Sequence, residues 1–264
     1  MKSKGYLIYL RKQKINSILV IIAQVFILVF FIWLWQWLSD NGYINTFITS
    51  SPKRVFYTLI SLYKENNLWR HIFITLYETI ISFLLATFLG IFIAIILWYQ
   101  PFLSKVVDPY LTVFNSLPKV ALGPILIIWV GSNMKSIIIM ALLVSLIITI
   151  VSVYNGFMNT DNNRIKLMKS INATRFQMLY YLVLPSNYKT IISCLKINIS
   201  MSLIGVIMGE LLVSKSGIGY LIMYGSQVFN LDLVMSGIFI LMIVSYIMYF
   251  MVNYLEKVLI KKQL

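Results

Sequence analysis

The sequence predicts an all-α protein, a polytopic membrane helix bundle of about six transmembrane helices with a surface helix on the cytoplasmic side. Three observations carry that expectation. Of the 264 residues, 60% are hydrophobic, and the mean hydropathy is +0.86. The apolar runs reach about twenty residues, the length a helix needs to cross a bilayer and more than a soluble core requires. Lysine and arginine are also unevenly shared between alternate loops, as the positive-inside bias demands. A formal charge of +14 would suggest nucleic acid in a soluble domain. Basic stripes with aromatic interleaving outside the apolar runs are absent, so the expected surrounding is the lipid bilayer, with no nucleic acid.

Residues 1–16 form a basic segment, with Lys2, Lys4, Arg11, Lys12 and Lys14 and no acid. The run 17–38 follows. As a helix it would be about 33 Å long. It ends in Trp33, Trp35 and Trp37 and has no small-residue cleavage site, which favours a retained first span over a signal peptide. The mixed stretch 39–70 reads as an external, partly helical loop, because Pro52 after Ser50 and Ser51 can open a short helix. Residues 17–71 are thus a first span with its external loop.

The second span, 72–98, carries Ala86, Gly90 and Ala94 at four-residue spacing, a stripe that lets another helix approach closely. Glu78 lies within two turns of its start, near enough to the interface to reach water. Between 101 and 131 the apolar sequence is broken by Pro109, Pro118 and Pro124, with Asn115, Ser116 and Lys119 near the middle. Irregular backbone at membrane depth is tolerated where it faces protein or a water-filled cavity. This segment therefore lines a pathway or its gate, or is a kinked helix packed among neighbours. The fourth span, 136–157, aligns Ser145, Thr149, Ser152 and Gly156, a stripe suited to helix contacts or to a polar path.

Residues 161–188 are the one long polar interruption in the C-terminal half. Read as a helix, Lys166, Lys169, Ser170, Thr174 and Gln177 share one face, and Met168, Ile171, Met178, Leu179 and Leu182 share the other. That pattern describes a helix at a membrane surface, stopped by Pro185. The fifth span, 190–213, contains Gly205-x-x-x-Gly209 followed by Glu210, and the sixth covers 233–255 before a basic tail, 256–264. With the N-terminus inside, fifteen Lys and Arg fall on the cytoplasmic side and six outside, with Lys119 left at membrane depth. Both termini and the 161–188 loop are then cytoplasmic.

Chemical motifs are scarce. Gly209 to Ser216 resembles a phosphate-binding loop in outline, but it follows an apolar span and falls on the outer side. Gly217-Ile218-Gly219 lacks the third glycine of a dinucleotide site. His71 is the only histidine, and Cys194 is a lone cysteine inside an apolar run. No catalytic residue, metal site or cofactor is expected.

Four separated stretches carry a resemblance to a known family. Asn172-Ala173-Thr174-Arg175-Phe176-Gln177 followed by Leu182-Val183-Leu184-Pro185 resembles the "EAA" cytoplasmic loop of ABC-importer permeases, EAA…GAsrwq…vvLP. Here Lys166-Leu167-Met168 stands for the Glu-Ala-Ala, and Asn172 stands for the glycine. Asn172 tolerates the left-handed backbone a bend requires. The run from Ser116 through Pro118, Pro124 and Trp129 to Gly131 is similar to the nitrate/sulfonate/taurine branch of those permeases, and so is Glu210 with Gly217-Ile218-Gly219-Tyr220.

The resemblance, over about residues 70–255, implies a permease core at 72–255 that is not itself an enzyme. It implies a second permease copy in a homodimer, a homodimeric ATPase on the cytoplasmic side, a periplasmic or extracellular solute-binding protein, and a bacterial inner-membrane location. The ATPase-coupling residues it implies are Lys166, Lys169, Ser170, Asn172, Ala173, Thr174, Arg175, Phe176, Gln177 and Pro185. Pathway or gate positions are Asn115, Ser116, Pro118, Lys119, Ser145, Thr149 and Glu210. The solute would be small and organic or anionic. An ion-gradient-driven secondary transporter is the alternative, and it would need intramembrane carboxylates.

Overall fold

The computed structural model describes residues 4–65 and 67–261. In chain order the helices are α1 (Lys4–Asp40), α2 (Thr46–Thr49), α3 (Pro52–Lys64), α4 (Asn67–Tyr99), α5 (Pro101–Ser116), α6 (Gly123–Val130), α7 (Met134–Met158), α8 (Asn162–Ser170), α9 (Arg175–Met178), α10 (Leu184–Ser186), α11 (Tyr188–Val213), α12 (Ile218–Gln227) and α13 (Leu231–Lys261). A 3-10 turn at Lys119–Leu122 precedes α6, and a π-helical turn at Leu179–Val183 joins α9 to α10. Among the described residues five helices, α1, α4, α7, α11 and α13, are long and apolar enough to cross a membrane, and the bent pair of α5 with the segment to Val130 brings the number to six if it is one span.

The small-residue stripe of α4 is a packing face. Ala86, Gly90 and Ala94 are buried, and a Cβ on Gly90 would lie 2.6 Å from Thr149 Cγ2 of α7. On α11, a Cβ on Gly205 would lie 2.5 Å from the Ala141 Cα of the same α7. Inside lipid, apolar burial gives helices no driving force to associate, so such close backbone approach is what holds them together through dispersion. The triple packing of α4, α7 and α11 is the centre of the bundle. Serine and threonine there bond within their own helix: Ser145 Oγ donates to Ala141 O at 2.7 Å, and Thr149 Oγ1 to Ser145 O at 2.8 Å.

Around this centre, Ile199, Leu203, Ile218, Leu221, Ile240 and Val244 join α11, α12 and α13. At the opposite end of α4, Ala94, Val153, Phe157, Leu179, Val183 and Cys194 form a second cluster that fastens the 161–188 stretch to α4, α7 and α11. From Lys12 to Trp33 the α1 side chains are exposed, and α1 rests on α3. There Gln36 Oε1 accepts the Lys53 N–H at 3.0 Å. Ser51 caps α3 with Pro52 in the first turn, as the sequence implied. Asp232 of α13 then accepts from Ser50 Oγ at 2.6 Å and Arg54 Nη2 at 2.7 Å.

Two local expectations are corrected. Pro109 sits inside α5 without ending it. The break instead falls at Leu117, whose ψ of 137° is the extended value that a following proline imposes, and the chain turns by 93° there. The 161–188 stretch is not one amphipathic helix either. Asn172 takes φ 54°, which ends the first helical segment, and Thr174 opens a second with a capping box to Gln177. The intervening turn rotates the two faces, so Ile171 is 67% exposed while Met178 and Leu179 are buried. The helical run through α9, the π turn and α10 continues one residue past Pro185 and ends at the turn at Asn187.

Candidate functional site

The 161–188 loop is held rigidly from below and left open above. Asp161 caps α8 through Asn163 N at 2.8 Å, and the Thr174 N–H donates to Gln177 Oε1 at 2.8 Å. Arg175 Nη1 donates to Tyr99 O at 2.8 Å, closing the last turn of α4 with a cation at its negative end. Asn187 Nδ2 donates to Thr160 Oγ1 at 2.8 Å and to Val183 O at 2.9 Å, tying the C-terminal ends of α7 and of the π turn together.

The outward face of this loop carries Lys166, Lys169, Ser170, Asn172, Thr174, Arg175, Phe176, Gln177 and Pro185, all exposed, with Ala173 half-buried among them. Leu167, Ile171 and Phe176 are 65%, 67% and 65% exposed beside those cations. An apolar patch rimmed by charge, on a segment anchored by its other face, has the form of a docking surface. The Arg164–Asp161 pair at 3.7 Å is solvent-exposed and contributes little.

At the bend between α5 and α6, Asn115, Ser116 and Pro118 are exposed and Lys119 is half-buried. Ser116 Oγ donates to Thr112 O at 2.7 Å, and Lys119 Nζ donates to Asn115 O at 3.0 Å, so the lysine covers a carbonyl in the last turn of α5. Lys119 is the sole charged residue between Pro109 and Gly131. Ser145 and Thr149 are placed elsewhere, fully buried where α7 meets α4.

Glu210 is also fully buried, at 1% exposure, in a joint that the sequence did not reveal. Its Oε1 accepts from Thr75 Oγ1 and its Oε2 from the Gly219 N–H, both at 2.6 Å. Thr75 Oγ1 in turn accepts the Ile218 N–H at 2.8 Å, and His71 Nδ1 accepts the Gly217 N–H at 2.9 Å while its ring stacks on Tyr220. Three successive backbone donors at the start of α12 are thereby satisfied by side chains of α4 and α11. Gly217 has φ 115°, and a Cβ there would overlap the Glu210 carboxyl, so only glycine serves. Glu78, expected to reach water, is instead 1% exposed, with its carboxyl facing that of Glu210.

Comparisons with known proteins agree on one family. The profile described as "Binding-protein-dependent transport system inner membrane component" matches residues 86–261. A Haemophilus influenzae protein described as "Probable ABC transporter permease protein" is 29% identical over 84% of this chain and 90% of its own length. The taurine transport system permease protein TauC of Escherichia coli is 22% identical over 81% of this chain and 80% of its own. The formylaminopyrimidine transport permease protein ThiX of Halalkalibacterium halodurans is 27% identical over 82% and 88%. Among solved structures, an inward-facing MetNI methionine ABC transporter aligns with TM-score 0.64 at 18% identity, covering 72% of this chain and 95% of that one. A bacterial alginate ABC transporter in complex with an alginate pentasaccharide-bound periplasmic protein aligns with TM-score 0.64 at 15% identity, covering 97% and 98%.

Proposed function

The chain belongs to the family of inner membrane components of binding-protein-dependent transport systems, so it is the membrane-spanning permease subunit of an ABC importer, and we propose that it moves a small sulfonate-type organic anion. Such permeases work with an ATPase and a solute-binding protein, and an ion gradient is not the energy source this family points to. The importer holds two copies of this chain around a shared path, a homodimeric ATPase on the cytoplasmic face and the binding protein outside. Both termini and the 161–188 loop face the cytoplasm.

The observation that carries the coupling is the exposed, charge-rimmed face of the 161–188 loop, fastened to α4 through Arg175 and to α7 through Asn187. When nucleotide draws the ATPase pair together, a loop so anchored passes that movement to α4, α7 and α11 as one packed unit. The bend at 115–119 then lies on the path, where exposed backbone and Lys119 meet the solute. The solute class rests on the taurine-transporting relative and on Lys119 being the only fixed charge of that segment, which favours an anionic group over a cation.

The test is import of taurine, an alkanesulfonate and a pyrimidine precursor into liposomes holding the complete transporter with its binding protein. Sulfonates should be taken up in an ATP-dependent manner, and Lys119→Gln should raise the concentration they require. Uptake of the uncharged pyrimidine alone would overturn the solute class while leaving the importer intact.

A further inference from the structure

We propose that Glu78 and Glu210 form a binding site for one exchangeable proton, and that its occupancy holds the α11–α12 connection against α4. The two side chains come from α4 and α11 and lie at the end of the bundle opposite the 161–188 loop. Both are 1% exposed, and their carboxyl groups face each other. Two carboxylates offer only acceptors and repel each other when both are charged, so this pair, out of water and without a cation, requires a proton on one of them. Glu210 already accepts from the Thr75 hydroxyl and the Gly219 N–H, both directed at a carboxylate. The proton therefore sits on Glu78.

A second observation points to exchange. Glu78 Oε2 is buried and has no hydrogen-bond partner. Glu78 also lines a cavity of about 190 Å³ whose wall includes Ser132, Asn133, Ser214 and Ser216. Polar lining and this volume admit water, which gives the proton a route in and out.

The charged and titratable surroundings do not replace the proton. From α4, His71 faces the joint and accepts the Gly217 N–H, and Arg70 stands beside His71. From the α11–α12 connection, Lys215 lines the cavity, and from α12, Tyr220 stacks on His71. α7 contributes Met134 and Ile137 to the wall, neither of them titratable. Among the described residues no ion pair involves Glu78 or Glu210.

With the proton gone, two negative charges would lie side by side away from water, and like charges in one site repel. The cheapest relief is to move Glu210, which also holds Gly219 and is overlain by Gly217. Losing the proton therefore loosens 214–219 from α4. Stability supplied by the joint is present while the proton is bound and is lost as pH rises through the range in which it leaves.

The experiment uses the full chain in lipid nanodiscs and needs neither ATPase nor solute, so its failure is separable from failure of the importer reading. Infrared spectra at neutral pH should show the carbonyl band of a protonated carboxyl that shifts in heavy water and disappears in Glu78→Gln. Thermal stability of the wild type should fall from neutral to alkaline pH, and Glu78→Gln, whose amide donates with no proton to lose, should lose that dependence. Should the variant not insert, loss of the wild-type band on raising the pH carries the test. A band that survives in Glu78→Gln, an unchanged pH slope, or a stability that follows sodium at constant pH would each overturn the proposal.

Discussion

Arg175→Ala is the perturbation that most directly separates loop anchoring from loop docking. Its Nη1 bonds the Tyr99 carbonyl at 2.8 Å, and that contact is the polar link from the outward segment of the loop to α4. A hydrogen bond to a charged group contributes about 1.5 to 3 kcal/mol when buried. Arg175 is exposed, so screening reduces this to about 1 kcal/mol. The loop keeps its fold without it, because Met178 and Leu179 stay buried and the Thr174–Gln177 box is independent of it. About 1 kcal/mol corresponds to roughly a fivefold rise in the population whose loop is released from α4. In proteoliposomes holding the whole importer, ATP hydrolysis per solute imported should rise several-fold while the amount of bound ATPase stays constant, with Arg175→Lys intermediate. Wild-type stoichiometry in Arg175→Ala would refute the idea that this bond transmits force, and loss of ATPase binding would instead make Arg175 a docking residue.

Ala173→Asp should leave insertion intact, since Ala173 is only half-buried in the free chain, yet ATPase binding should weaken by about 2 kcal/mol or more as a carboxylate enters a packed interface. Ala173→Ser should be mild, and co-purification measures both. Gly205→Val should lower the thermal stability of the purified chain by about 1 to 3 kcal/mol, because its first carbon already meets the α7 backbone at 2.5 Å. Asn115→Cys, Ser116→Cys and Lys119→Cys, made singly, should react with a small water-soluble thiol reagent at rates that change when the complex binds nucleotide; equal inaccessibility in both states would return the bend to plain packing.

The packing faces were legible because small residues betray themselves by spacing alone. Ala86, Gly90 and Ala94 needed only the helical period to be placed on one side, and the structure puts α7 there. Pro52 announced α3 for an equally local reason, its fixed φ suiting a first turn. The bend before α6 was legible as irregularity but not as an angle, since Pro118 dictates the backbone of Leu117 and says nothing of where the chain goes next. The loop was misread as one helix because periodicity counts side chains and misses a single left-handed residue, Asn172. The joint was out of reach altogether. Glu78 and Glu210 each look like a carboxylate near a span end, and only the fold shows that Thr75 and Glu210, 135 residues apart, share a hydrogen bond.

Coupling requires the 161–188 loop to meet the ATPase. With Ala173→Cys in the chain, a short bifunctional reagent should join it to the ATPase subunit in the assembled importer, and Ser216→Cys, at the opposite end of the bundle, should not. The yield at Ala173→Cys should change with nucleotide, and the joined complex should cease to import. Import that persists in complexes cross-linked at Ser216→Cys to the ATPase, with no product from Ala173→Cys, would contradict the account.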